Sequence, residues 1–504
     1  MSGIKKLAGQ TVWYGLPRIM ARFLNFAISL LGFQLFDPNG SYAYTQIYSV
    51  IPFLNILFTY GLETSYFRFA QNKDRSELYN TLMVSVLITT TVLSLILYWL
   101  RSPLADFIGM SDHPEYMLWM IGILFFDTLY TLPISKLRLE ERPRKYAFVN
   151  VFSILLNIAI VLFFYYVAKP AHEKTPYTFL GQLYDPKVGI GYFVLANLFA
   201  SAISLLLLYK EFSAFKFRFN WGLWKEVMNY SYPLIIVGFG GMINEMLSRL
   251  VYQRVLSLPV KQEQFELGVF GACYKLAVLI TIFIQVFRLA AEPFFFNQSK
   301  NENAQKTYAR VMKLFVIACC FMFLTVVLFL DVWKYLIART HPEYAQGIYI
   351  VPILAMASVF LGIYYNLSVW YKLTNKNMFG AYITVAGAII TIVLNILLIP
   401  KFHYYGAAWG TFVCYAFMMV VSYTQGQKYY PVPYAKKKLI AYLVICTLLF
   451  AVHEAIKAFM NAKSGYFMPV YLVSGLALMS LFGLLILTVE RQELKKLPYV
   501  GRFL

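Results

Sequence analysis

Charge is scarce in this chain, and negative charge is scarcest. Only 13% of its 504 residues are charged, with 24 Asp and Glu against 44 Lys and Arg, while 60% are hydrophobic. A water-soluble domain carries about twice that share of charge, so the residues needed to coat a globule of this size are missing. Cysteine is rare too. The five cysteines (Cys273, Cys319, Cys320, Cys414, Cys446) all fall in apolar runs and form no C-x-x-C pair, which excludes a disulfide framework and a thiolate metal site. The five histidines (His113, His172, His341, His403, His453) lie in or beside predicted external loops without metal-ligand spacing, and are expected at the surface. There is no nucleophile elbow, phosphate loop or paired-carboxylate motif. The sequence therefore predicts no enzyme active site, no metal and no cofactor. Met1 to Gln10 carries lysines, but Pro17, Arg18 and Arg22 interrupt the apolar stretch that follows, so a retained first span is expected rather than a cleaved signal.

What is abundant is apolar sequence, in blocks of about 20 residues, the length that crosses about 30 Å of hydrocarbon. Continuous runs such as 148–168 exclude the alternation of a membrane barrel. The expected fold is an all-α polytopic membrane protein with about fourteen transmembrane helices. Loops between these spans alternate in charge: one set with the chain ends holds 28 Lys and Arg, the other 11. The richer side is expected to face the cytoplasm and to hold both termini. The net charge of +20 is thus a topology signal, and nucleic acid is not an expected partner.

The longest external loop, about 169–188, leaves no room for a catalytic domain outside the bundle. A weak internal repeat is also present. Tyr44 and Tyr48, opening the second span at 42–67, match Phe270 and Tyr274, opening the eighth at 267–290. Arg138 precedes Asn157 by 19 residues, and Lys376 precedes Asn395 by the same interval. Duplicated halves with substrate held between them are common in transporters. On that division 1–215 forms an N-terminal lobe of six spans and 216–430 a C-terminal lobe of six. Residues 431–504 add two more spans and a tail after the proline-containing link 429–434.

The informative residues are the charges that membrane burial makes costly, about 2.5–3.5 kcal/mol for a base at mid-bilayer. Phe23 to Phe36 is 14 residues, about 21 Å of helix, so the first span must begin near Pro17. That puts Arg22 within hydrocarbon depth and Arg18 near the interface. Either they snorkel to headgroups or they face a wet interior. Only 12 residues separate Lys275 from Arg288, about 18 Å, so at least one of these is buried. Arg249 follows Glu245 by four residues, which suits a self-neutralising pair as well as a ligand contact. Arg18, Arg22, Arg249 and Lys275 are the candidate anion-binding residues, because wet basic positions in a bundle suit phosphate. Tyr48 and Tyr274 are candidate aromatic residues of the same interior. Asp127, alone in the middle of the fourth span, and Glu63 are candidates for ion coupling, with a structural hydrogen bond or salt bridge as the alternative. Asn25, Asn55, Asn157, Asn244, Asn366 and Asn395 are expected to bond between helices.

Several segments together carry a resemblance: Tyr60-Gly61-Leu62-Glu63-Thr64-Ser65-Tyr66-Phe67-Arg68, Leu137-Arg138 with Arg142-Pro143-Arg144-Lys145-Tyr146-Ala147, and Tyr230-Ser231-Tyr232-Pro233-Leu234. To these are added Gly268 to Lys275 running to Glu292-Pro293-Phe294, and Leu394-Asn395-Ile396-Leu397-Leu398-Ile399-Pro400 before Gly406-Ala407-Ala408. In their order and spacing the chain resembles the Wzx-type polysaccharide-biosynthesis flippases of the MOP (MATE-like) transporter superfamily. The resemblance implies two six-helix lobes around a central cavity in the bacterial inner membrane. A polyprenyl-pyrophosphate-linked oligosaccharide would be turned to the outer leaflet by alternating access, for O-antigen, capsule or exopolysaccharide export. It also implies membrane lipid, a polysaccharide polymerase and chain-length machinery as partners. Such proteins often carry an Asp-Arg pair near the end of span 7, where this chain has Ser248-Arg249. The competing expectations are a MATE-like ion-coupled drug exporter and a membrane-embedded polymerase or glycosyltransferase.

Overall fold

A computed structural model describes residues 2–256, 258–299, 301–374, 376–460 and 467–495, the side chains at 2–16, 18, 289–290, 292–293, 296–297 and 467 aside. The main helices are α1 (Ser2–Leu35), α2 (Pro38–Thr59), α3 (Leu62–Phe69), α4 (Arg75–Trp99), α5 (Pro114–Leu139), α6 (Pro143–Phe163) and α7 (Gly191–Leu207). They continue with α8 (Trp221–Val255), α9 (Val260–Gln298), α10 (Ala304–Val327), α11 (Val351–Leu367), α12 (Met378–Tyr429), α13 (Lys436–Ala458) and α14 (Phe467–Val489). No strand occurs among the described residues. Among the described residues, ten helices are long and apolar enough to cross a membrane, and up to 11 if the bent pair Phe179–Val188 and Gly191–Leu207 is one span.

Local chemistry sets the helix boundaries. Asp37 caps α2 by accepting the Gly40 amide at 2.8 Å, with Pro38 at the first helical position, where its missing N–H costs nothing. Asp74 caps α4 through the Glu77 amide at 2.7 Å, and Asn220 caps α8 through the Leu223 amide at 3.0 Å. Three expected spans take a different form. The span at 42–67 is interrupted, because Tyr60 (φ 33°) and Gly61 (φ 75°) are left-handed and redirect the chain into α3. A side chain on Gly61 would also press on Leu234, 3.1 Å from its Cβ position. The spans at 378–400 and 405–425 run together as α12, with non-helical backbone at His403 (φ 54°, ψ −135°).

The described chain forms two compact units. The first holds residues up to Ala272 with Thr340–Tyr344 and Thr384–Gly410, and the second holds the remainder. In the first, α7 packs on α5 and α6, α1 on α6, and α8 on α2. Tyr60, Leu62, Leu78, Leu82, Leu132 and Val227 close one of its cores. In the second, α10 packs on α11 and α13, and α13 on α14. Val444, Leu448, Val452, Val473 and Leu481 are exposed on α13 and α14. An apolar face that size is at home in hydrocarbon rather than water.

Some polar side chains within this apolar frame are tied down, while both polar side-chain atoms of Asn395 have no hydrogen-bond partner among the described residues. Buried Asn244 donates to the Thr384 carbonyl at 3.2 Å and accepts from the Thr391 hydroxyl at 3.2 Å, joining α8 to α12 as expected of an interhelical asparagine. Asn244→Ala removes both bonds and is expected to cost about 1 kcal/mol. Thermal unfolding of the purified variant in detergent checks this, and an unchanged midpoint would show the bonds to be energetically idle. Glu211, just beyond α7, accepts from Arg142 at 2.7 Å and Lys145 at 2.5 Å. Burial pushes its carboxyl up, but the two bases outweigh that and hold it below the ordinary glutamate range. One expectation needs correction. His453 is not at the surface: it is 1% exposed and sits against Tyr471, with its Nε2 3.3 Å from the Tyr471 carbonyl. Its position near the end of a span suggested a loop, but α14 packs over it through Tyr471.

Candidate functional site

Two clusters in the first unit gather the costly residues. The first is basic. Glu245 on α8 is within electrostatic reach of both Arg249, one turn along, and Arg22 on α1. Arg249 is buried, and its guanidinium donates to the Glu245 carbonyl at 2.8 Å. Arg22 is exposed. One acid between two bases leaves the group net positive, which suits an anion. Arg18 lies on the same helix as Arg22, but its side chain is outside the described residues.

The second cluster is hydroxyl- and amide-rich. Tyr48 of α2 and the Ser201 hydroxyl of α7 are both within electrostatic reach of the Asp127 carboxylate on α5. Asn197, one turn before Ser201, donates to the Tyr48 hydroxyl at 3.3 Å. Tyr44 packs on Tyr48 with ring centroids 4.5 Å apart, and its hydroxyl lies 2.9 Å from that of Ser29 on α1. Tyr48 of α2 and Ser201 of α7 thus approach one carboxylate on α5 with groups able to donate or accept a proton. That arrangement can hold a proton or a small cation at Asp127. Glu63 is placed differently. It pairs with Arg138, which also lies over the Phe67 ring at 4.7 Å, so its carboxylate already has a cation.

Lys275 and Tyr274 lie half-buried on the stretch of α9 that belongs to the second unit. Sequence reasoning missed Asn197, Ser201 and Ser29, ordinary polar residues in apolar runs. It also missed Glu266, whose carboxylate accepts from Tyr252 at 2.7 Å and lies 2.9 Å from His403 Nδ1. No group of three or more potential metal ligands occurs among the described residues.

Residues 8–299 match the family model described as "Polysaccharide biosynthesis protein". No curated protein matches in sequence. Among solved structures, "Lipid II flippase MurJ, inward closed conformation" aligns with a TM-score of 0.67 at 12% identity, covering 95% of this chain and 99% of that one. An inward-facing multidrug resistance MATE transporter of the MOP superfamily gives 0.64 at 14%, covering 83% and 97%. The Vibrio cholerae MATE transporter VcmN in its bent form gives 0.54 at 13%, covering 88% and 99%. At such identities these likenesses establish a shared fold. All three are flippases or transporters rather than enzymes.

Proposed function

The chain belongs to the polysaccharide biosynthesis protein family, and from that premise we propose that it flips a polyprenyl-pyrophosphate-linked oligosaccharide across the bacterial inner membrane. The observation that carries this reading is the basic group on α1 and α8, where Arg22 and Arg249 outnumber the single carboxylate of Glu245. A pyrophosphate headgroup needs compensating charge in a low-dielectric setting, and arginine supplies it with two-pronged hydrogen bonds. Arg18 and Lys275 extend the positive set in the proposal, and Tyr48 and Tyr274 offer faces for sugar rings. Fourteen spans, two six-helix lobes (1–215 and 216–430), the added 431–504 segment and cytoplasmic termini complete the arrangement. Alternating access between the lobes carries the headgroup while the prenyl tail stays in lipid. Polymerase and chain-length proteins would receive the product.

Asp127, with Tyr48 and Ser201 about it, is the proposed coupling carboxylate. Moving one elementary charge through 100 mV supplies about 2.3 kcal/mol, roughly 50-fold in accumulation. Proteoliposomes carrying a fluorescent polyprenyl-pyrophosphate oligosaccharide, read with a membrane-impermeant quencher, test both points. The wild-type protein is expected to turn the headgroup over and to leave a cationic dye untransported. Asp127→Asn is expected to bind the headgroup normally and to lose the gradient-driven part. Dye transport without headgroup movement would replace this reading with a drug exporter. Glycosidic bond formation in the same vesicles would replace it with a polymerase.

A further inference from the structure

The link from α7 to α8 is basic and aromatic at once. Between Tyr209 and Lys225 it carries four bases, Lys210, Lys216, Arg218 and Lys225, and a single acid, Glu211. That acid is buried and already held by Arg142 and Lys145. Lys216 and Arg218 are exposed and meet no carboxylate among the described residues. Phe217, Phe219 and Trp221 are interleaved with them and are exposed too, Phe217 by 75% and Trp221 by 65%. The segment is nonetheless pinned, and α4 does the pinning. Asn80 accepts the Lys216 amide at 2.8 Å, and the Thr81 hydroxyl accepts the Asn220 amide at 3.2 Å. Glu77 accepts from the Asn220 side chain at 2.8 Å, and Ser85 accepts from the Trp224 indole at 2.9 Å. Trp224 in turn stacks on Trp221, ring centroids 4.9 Å apart. These α4 residues are spaced three and four apart and so share one side of that helix.

What such a strap meets follows from its neighbours. Phe199 and Leu206, seven residues apart on α7, are exposed, as are Tyr232 and Ile236, four apart on α8. Each pair marks an apolar helix face of the kind that belongs in hydrocarbon. The strap joins the ends of those two helices, so its aromatics fall at headgroup level, where tryptophan and tyrosine collect. Its bases have no acid of their own to neutralise them, which calls for a negatively charged partner. We propose that the 209–225 link is a docking strap for anionic phospholipid headgroups of the surrounding bilayer. Lys216 and Arg218 donate to phosphate oxygens, and Phe217 and Trp221 enter the interface beside them. Basic segments next to a membrane helix draw anionic lipid, and arginine grips phosphate with two N–H groups. Because the strap runs straight into α8, bound lipid braces the start of the helix that carries Glu245 and Arg249. The proposal does not depend on which substrate the protein carries, and its test does not read transport.

Tryptophan quenching by brominated lipids reads the strap in the full-length protein. Nanodiscs of mixed phosphatidylglycerol and phosphatidylcholine carry bromine on one lipid or the other, and the Trp221 signal is the difference between wild type and Trp221→Phe. Brominated phosphatidylglycerol is expected to occupy the Trp221 contact at least fivefold more readily than brominated phosphatidylcholine at equal mole fraction, the worth of one base at an anionic surface. The double variant Lys216→Gln with Arg218→Gln changes two exposed side chains and is expected to fold, to keep Trp221 in contact with lipid and to bring the two lipids to parity. High salt is expected to shrink the wild-type preference in the same direction. Equal quenching by the two lipids in wild type would overturn the proposal, as would a preference that survives in the double variant. Quenching by aqueous iodide but by neither lipid would also overturn it, since the strap would then face water or a protein partner.

Discussion

Reversing Arg22 and Lys275 together to glutamate is expected to abolish headgroup translocation while leaving the protein inserted and folded. Each charge-assisted hydrogen bond to a phosphate is worth about 1.5–3 kcal/mol, so losing two costs about 3–6 kcal/mol of headgroup binding, a factor of 10² to 10⁴. Reversal adds repulsion to that loss. At Arg22 the new carboxylate would face Glu245, leaving Arg249 as the one base in a group that now holds two acids. The milder Arg22→Gln removes one interaction and is expected to weaken headgroup binding about tenfold. Flipping assays in proteoliposomes, with size-exclusion profiles and melting curves as controls for folding, separate lost function from lost structure. Undiminished transport by the double variant would remove the anion-carrier reading.

The second large effect concerns a buried ion cluster just past α14. Glu490, just past α14, has a carboxylate 1% exposed that accepts from Lys313 at 2.6 Å, Lys438 at 2.8 Å and Tyr442 at 2.6 Å. Burial pushes its carboxyl up, but those three donors overcome the burial and hold it at about 2. Glu490→Gln keeps the shape but leaves Lys313, with 13% of its side chain exposed, without its counter-charge. Breaking a buried pair from one side costs about 3–5 kcal/mol. Because the folded carboxyl lies below its unfolded value of 4.5, its stabilisation is complete above about pH 4.5 and fades as pH falls toward 2. Unfolding of wild type and Glu490→Gln in detergent should therefore differ most at neutral pH and converge in acid. A gap between the two that did not vary with pH would show that ion pairing is not its source.

Both effects rest on residues the sequence reveals unequally. The membrane character was fully legible, since apolar blocks and scarce charge follow directly from the solvent the chain must meet. Arg249 with Glu245 was legible as a pair because four residues is one helical turn. That Arg22 joins them was not, because the contact arises from tertiary packing across more than half the first unit's sequence. Asp127 stood out as an acid in an apolar run. Asn197 and Ser201 did not, since asparagine and serine are common in membrane helices and only the packing of α7 on α5 and α2 brings Ser201 near Asp127 and Asn197 to Tyr48. The break at Tyr60 and Gly61 lay inside a recognised motif, but nothing in the apolar pattern on either side marked it. His453 misled for a different reason: proximity to a span end says nothing about what the next helix covers.

The bend at His403 has a mechanical meaning. Backbone at positive φ and strongly negative ψ is ordinarily reserved for glycine, and a bulkier residue there costs about 1–3 kcal/mol and stays only where its surroundings hold it. Here the holder is Glu266, gripping the imidazole. The 52-residue α12 is therefore two rods on a cocked joint rather than a single lever. Glu266→Ala, by removing that hold, is expected to loosen the joint.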